Sequence, residues 1–178
     1  MAERWLDITD IPAEGREFVV DDQELWAEGW REFHMEITPA EPLSASFRVM
    51  PQERGALVRG RLAGAVTVPC DRCAVSTRVD VDQSFDLFEE EGLPDGENLE
   101  PGLLRRRGHR LELDVGGMLW EEFVLALPVK PLCSEGCLGL CPSCGRDLNT
   151  GTCSCASVES DPRLAALRGL TIDKKAKN

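Results

Sequence analysis

The sequence predicts an α+β fold: an antiparallel β meander or open barrel, a few short helices and a cysteine-rich C-terminal segment. Three observations carry this prediction. Apolar and polar residues alternate in successive runs between Leu43 and Phe88, a capped apolar run follows Asp114, and eight cysteines fall in four pairs.

In residues 1–40, short apolar runs mix with acids. Ile8 and Ile11 precede Pro12, and Phe18-Val19-Val20 reads as a short strand. Asp21 and Asp22 open the stretch Glu24 to Glu32. There Leu25, Trp26 and Trp30 could line one side of a helix or of a strand, and the pattern leaves both open. From Leu43 to Asp86 the β character is clearer. Ala45-Ser46-Phe47-Arg48-Val49 alternates, as a strand with one buried face must. Leu57 to Leu62 continues into Ala65-Val66-Thr67-Val68. After Cys70 to Cys73, Thr77 to Asp82 alternates again and leads to Phe85, Leu87 and Phe88. Turn residues separate these runs, which is the pattern of a meander.

Glu89 to Gly102 is acidic and rich in Gly and Pro, and reads as a flexible loop. Arg105-Arg106-Arg107 follows, then Leu111 and Leu113. Asp114 can cap a helix running to about Leu127, with Met118, Leu119, Phe123 and Leu125 as its apolar positions. Pro128 ends it. A final short helix is expected from Ser160 or Asp161, with Pro162 in its first turn and Leu164 and Leu167 on its apolar side. This divides the chain into a main domain over 1–132 with an acidic loop at 89–102, a cysteine-rich segment over 133–156, and a C-terminal helix and tail over 157–178.

Composition narrows the function. A chain of 178 residues can bury a real core in one compact domain. Met1 to Asp10 lacks the apolar run of a signal peptide, and no stretch approaches the ~20 apolar residues that span a bilayer. The expected location is the cytoplasm. Net charge is −12, from 32 acids against 20 bases. Nucleic-acid affinity rests on Lys and Arg neutralising phosphates, so this balance favours a basic protein partner over bare RNA. The exception is the basic stretch Arg105, Arg106, Arg107 and Arg110, a candidate RNA or partner contact. The plainer reading of that stretch is a solvated strand end balancing the acidic loop.

The cysteine pairs are Cys70/Cys73, Cys133/Cys137, Cys141/Cys144 and Cys153/Cys155. A turn carrying two thiolates two or three residues apart can aim both at one ion, and two such turns complete a zinc tetrahedron. Cys141-Pro142-Ser143-Cys144-Gly145 is the sharpest such signal, because Pro142 stiffens the turn and Gly145 permits φ > 0. Four pairs can be sorted into two sites in three ways. Grouping Cys141, Cys144, Cys153 and Cys155 closes the shortest loop. Cys70, Cys73, Cys133 and Cys137 then form a second site tying the β region to the segment after the long helix. Two four-thiolate zinc centres, each adding −2, would move the formal charge from −12 to about −16. Disulfides fit poorly with a reducing cytosol. Iron–sulfur ligation stays open, since cysteine ligands alone do not exclude it. So does a redox role for Cys70-Asp71-Arg72-Cys73, although Val68-Pro69 before it makes no helix N-terminus to lower a thiol pKa.

No reaction is legible. Only His34 and His109 are present, neither at ligand spacing, and no phosphate loop, nucleophile elbow or acid–base pair stands out. Glu121-Glu122 reads as a solvated helix face.

Several of these segments together resemble the YceD family of large ribosomal RNA subunit accumulation proteins. They are Val68-Pro69-Cys70-Asp71-Arg72-Cys73, Leu125-Ala126-Leu127-Pro128-Val129 leading into Cys133 and Cys137, and Gly139-Leu140-Cys141-Pro142-Ser143-Cys144-Gly145 with Leu148-Asn149 and Cys153. Asp161-Pro162-Arg163-Leu164-Ala165-Ala166-Leu167 resembles the closing helix of that family. The resemblance covers roughly residues 45–170. It implies a bacterial or plastid-type, non-enzymatic factor supporting accumulation of large-subunit ribosomal RNA and hence ribosome assembly. A ribosomal protein, an assembly factor or a pre-ribosomal particle would be its partner. It also supports grouping Cys70 and Cys73 with Cys133 and Cys137, and makes the second cysteine cluster an accessory staple.

Overall fold

The computed structural model describes residues 4–91, 102–155 and 163. Among the described residues, seven strands and two helices follow in the order β1 (Trp5–Asp7), β2 (Arg16–Val20), α1 (Gln23–Glu32), β3 (Thr38–Gln52), β4 (Gly55–Pro69), β5 (Ser76–Glu90), β6 (Leu104–Arg107), β7 (Arg110–Asp114) and α2 (Val115–Ala126). They form two open antiparallel sheets, one in the order β2-β3-β4-β5 and one in the order β1-β7-β6. The α+β meander holds, and among the described residues the sheets stay open, with no closed barrel.

Strands β3, β4 and β5 are each 15 residues long, and alternation sets their register. Leu43, Ala45, Phe47 and Val49 on β3 point to the core, as do Val58, Leu62 and Val66 on β4 and Val81 and Phe85 on β5. A one-residue slip would turn each of these rows into water. The opposite face is charged and cross-paired, with Arg48 bonding Glu17, Arg59 bonding Asp86, Arg61 bonding Asp82 and Arg78 bonding Glu41.

The N-terminal 40 residues, weakly patterned in sequence, complete the core. Glu24 to Glu32 resolves as helix because Asp22 accepts from the Glu24 amide at the N-cap, and because Leu25, Trp26 and Trp30 share one buried side. Ile8 and Ile11 are buried as well. Both helices cover the large sheet, with Trp26, Trp30 and Trp120 gathered around Phe123.

Three expectations need correction. Glu89 and Glu90 are the end of β5 rather than of a loop, and the rest of the acidic stretch from 92 to 101 lies outside the described residues. Glu122 is 3% exposed and accepts from Gln83 Nε2 at 3.1 Å, so it belongs to the helix–sheet contact and not to a solvated face. Leu125 is 70% exposed, although α2 itself runs as expected from its Asp114 cap. The basic run agrees with the strand-end reading: Arg105 to Arg107 end β6, which turns through Gly108-His109 into β7 at Arg110. The expected helix after Ser160 lies outside the described residues.

Candidate metal centres

The turn between β4 and β5 carries Cys70-Asp71-Arg72-Cys73-Ala74-Val75. Its ends are closed by two backbone hydrogen bonds, Cys70 N–H to Val75 O at 2.9 Å and Ala74 N–H to Cys70 O at 2.8 Å. Cys141 to Arg146 repeats this bonding. Cys141 N–H reaches Arg146 O at 2.8 Å, and Gly145 N–H reaches Cys141 O at 2.9 Å. The fifth residue of each turn is left-handed, with Ala74 at φ 58° and Gly145 at φ 71°. One turn geometry is therefore built twice, once with the residue suited to it and once without.

This asymmetry gives a matched pair of expected outcomes. A Cβ on Gly145 would meet nothing within 4 Å, so Gly145→Ala costs only backbone conformation. The expected loss is about 1 kcal/mol. Ala74→Gly relieves the same strain and should gain about 0.5 kcal/mol, since the extra unfolded-state entropy of glycine offsets part of it. Thermal melts of the two variants check this, and shifts of the same sign would contradict it.

Segment 131–140 is strapped onto the first turn through its peptide groups. Asp71 N–H donates to Pro131 O, Leu140 N–H donates to Arg72 O, and the Arg72 guanidinium donates to Cys137 O at 2.7 Å. This brings Cys133 and Cys137 onto Cys70 and Cys73. The Cys70 and Cys137 sulfurs are 3.9 Å apart and those of Cys73 and Cys133 are 3.6 Å apart. Cys141, Cys144, Cys153 and Cys155 gather likewise, with Cys141 and Cys153 at 3.3 Å. Within each group of four, all sulfurs lie within 4.8 Å of one another. The division is the one that the shortest-loop argument favours.

Donor set and spacing fit a tetrahedral metal. With sulfur at ~2.3 Å from zinc, the edge of the tetrahedron is about 3.8 Å. The environments differ. Cys70, Cys73 and Cys137 are buried, whereas Cys144 and Cys155 are exposed. Asn149, not singled out as a site residue in the sequence, lies between Cys144 and Cys153 in the chain and reaches back to the first centre. Its carbonyl oxygen accepts from Leu138 N–H at 2.7 Å, and its amide nitrogen lies 3.5 Å from the Cys137 sulfur. Its signal in the sequence was its place in the Leu148-Asn149 pair, which carries part of the family resemblance.

Electrostatics explain how such a cluster takes a dication. Burial raises the Cys70 thiol pKa, but backbone N–H groups of Arg72, Cys133 and Cys73 outweigh it and bring it down to about 6. The N–H groups of Cys144 and Ser143 likewise lower Cys141 to about 6. Beside each thiolate another thiol is held up. The Val75 N–H favours the Cys73 thiolate, but burial and the three neighbouring sulfurs push its pKa up to about 12. Cys144 and Cys141 first of all push Cys155 to about 12. Like charges crowded this closely cannot all form without a cation to balance them.

The basic hairpin is largely neutralised from within. Arg105 bonds Glu112 at 2.9 Å and lies 3.5 Å over the Trp5 ring, Arg106 forms a two-point pair with Glu91, and Arg110 lies 3.5 Å from Asp7. Arg107 is exposed near the turn. A cavity of about 710 Å³ between α1 and the start of β3 includes His34 in its wall, but Glu24 and Arg31 there are bonded to each other and Trp30, Met35, Ile37 and Pro42 make it mainly apolar.

The fold and these centres define a class: a small open-sheet protein whose β4–β5 turn and C-terminal segment build two four-cysteine clusters able to hold metal ions. A sequence profile for "Large ribosomal RNA subunit accumulation protein YceD" matches residues 58–171, more than half of the chain, and the chain belongs to this family. It is also similar to the Arabidopsis thaliana protein "Large ribosomal RNA subunit accumulation protein YCED homolog 1, chloroplastic", with 23% identity over 155 residues. That match covers 72% of this chain and 48% of the relative, so the chain spans about half the length of that protein. No solved structure matches the chain significantly. Among the described residues, no helix is long and apolar enough to cross a membrane.

Proposed function

We propose that this protein is a non-enzymatic, zinc-stabilised factor that supports accumulation of large-subunit ribosomal RNA by binding a ribosomal protein, an assembly factor or a pre-ribosomal particle in the cytoplasm. The family membership carries the biological half of this reading, because the family is described by large-subunit RNA accumulation. The two sulfur tetrads carry the zinc half, with Cys70, Cys73, Cys133 and Cys137 as one ligand set and Cys141, Cys144, Cys153 and Cys155 as the other. Four cysteines saturate a structural zinc and leave no open position for a substrate or an activated water.

Zinc in these sites would close two loops on the main sheet and hold its surface in shape. Direct RNA recognition by Arg105, Arg106, Arg107 and Arg110 is the weaker alternative, since three of the four already face carboxylates. A dithiol redox role is weaker too, because each cysteine pair faces a second pair and not a lone resolving thiol.

The test is purification of the tagged chain from its own cells at moderate salt, with large-subunit RNA measured after depletion. Co-purifying large-subunit components and a fall in large-subunit RNA are expected. If neither appears, the ribosomal reading fails. Metal analysis of the same material should find two zinc ions per chain, and iron or no metal would overturn the cofactor.

A further inference from the structure

The two edges of the large sheet are treated differently. On the β3 side, β2 pairs only with Ala45 to Val49. The rest of that edge contains Pro39 and Pro42, register breaks between Pro39 and Ser44, and Gln23, whose side chain bonds both the N–H and the C=O of Leu43. Prolines, bulges and side-chain caps are the devices that stop a further strand from adding. The β5 edge has none of them. Its 15 residues pair with β4 in unbroken register from Ser76 to Glu90, contain no proline, and have no partner strand on the outer side among the described residues.

Charge decides what could pair there. β5 carries five carboxylates, Asp80, Asp82, Asp86, Glu89 and Glu90, against one arginine of its own, Arg78; Asp80, Asp82 and Asp86 are paired with Arg78, Arg61 and Arg59, so the excess acid is concentrated at Glu89 and Glu90. A second copy of this strand would set carboxylates against carboxylates, so the edge rejects self-pairing and favours a basic strand. The α2 flank agrees. Burial and the nearby Glu121 push the Glu89 carboxyl pKa up, which puts two acids together at the β5 edge. Leu125, one turn beyond Glu121 on the same helix face, is exposed and offers apolar cover to the inner side of an added strand.

We propose that the free edge of β5 receives an extended basic segment of a partner protein as an added strand, its lysines or arginines meeting Asp80 and Glu90 on the outer face and its alternate apolar residues lying beside Leu125 on the inner one. This deepens, and rests on, the reading that an acidic surface engages a basic partner. Main-chain hydrogen bonds would supply the affinity, and the alternation of side chains the selectivity.

The experiment uses the zinc-loaded full chain and a synthetic peptide of about ten residues alternating lysine and valine, enough to cover most of the strand. A control peptide has the same sequence with alternate amides N-methylated, so that charge is kept and the ladder is lost. Amide hydrogen exchange by NMR should slow at alternate β5 residues on adding the first peptide. Affinity should fall at least about tenfold with the methylated peptide, and again with the Asp80→Lys, Glu90→Lys double variant, whose two sites are exposed. Equal binding of both peptides would overturn the proposal. So would slowed exchange away from β5, protection of these amides already in the free protein, or displacement of the peptide from β5 by an RNA oligomer. If the double variant still co-purifies fully with large-subunit components, the β5 edge fails while the ribosomal reading stands.

Discussion

Cys73→Ser is expected to lower the melting temperature by about 10–20 °C, a loss of roughly 5 kcal/mol. Cys73 is buried in the turn that joins β4 to β5, and its sulfur lies 3.6 Å from that of Cys133, 60 residues away. A structural zinc contributes on the order of 10 kcal/mol of binding energy coupled to folding, and serine is a poor fourth ligand. The released segment would also lose the peptide bonding that Asp71, Arg72 and Leu140 make only while it is docked. The exposed Cys144 gives the contrast. Cys144→Ser should release one zinc of two yet move the main transition by no more than about 3 °C, about 1 kcal/mol, because its cluster closes only a local loop. Calorimetry with metal counting on both variants makes the comparison. Equal shifts would contradict a division of labour between a long-range staple and a local one.

That division could be drawn from spacing because short cysteine pairs are local chemistry, and a turn of four to six residues has few ways to aim two sulfurs. The strands from Leu43 to Phe88 were legible for a related reason. Each has one wet face and one dry face, so Phe47 and Val49 alternate with Arg48 in a period that nothing else produces. What sequence could not give was long-range. Leu25, Trp26 and Trp30 sit at positions compatible with either helix or strand, and only packing on Phe123 decides. Glu122 looked solvated because glutamate next to glutamate usually is. Its burial depends on Gln83, a residue of another element. The partners of the arginine run are long-range in the same way. Glu91, Glu112 and Asp7 come to it from three separate places in the chain, so a cluster that is basic in sequence is close to neutral in space.

The contact of the two helices yields the second large effect. Gly29 faces Trp120 where α1 passes α2, and a Cβ at Gly29 would lie 2.2 Å from ring atom Cζ3 and 2.4 Å from Cε3. On an exposed helix Gly→Ala gains about 1 kcal/mol. Here that gain is outweighed. Trp120 is stacked on Phe33 at 5.2 Å and packed on Phe123 at 5.6 Å, and Phe123 in turn holds Trp26 and Trp30. The ring cannot retreat without moving this cluster, and overpacking of a filled core costs about 1–3 kcal/mol. Gly29→Ala is therefore expected to lose about 2 kcal/mol net and about 4–8 °C in melting temperature, with an altered near-ultraviolet tryptophan signal. Trimming the obstructing ring should reverse the sign. Trp120→Leu alone destabilises by leaving a cavity, but in the Trp120→Leu background Gly29→Ala should become neutral or stabilising. A double-mutant cycle measures this coupling. Additive effects would mean that Gly29 matters for its backbone freedom and not for the closeness of the two helices.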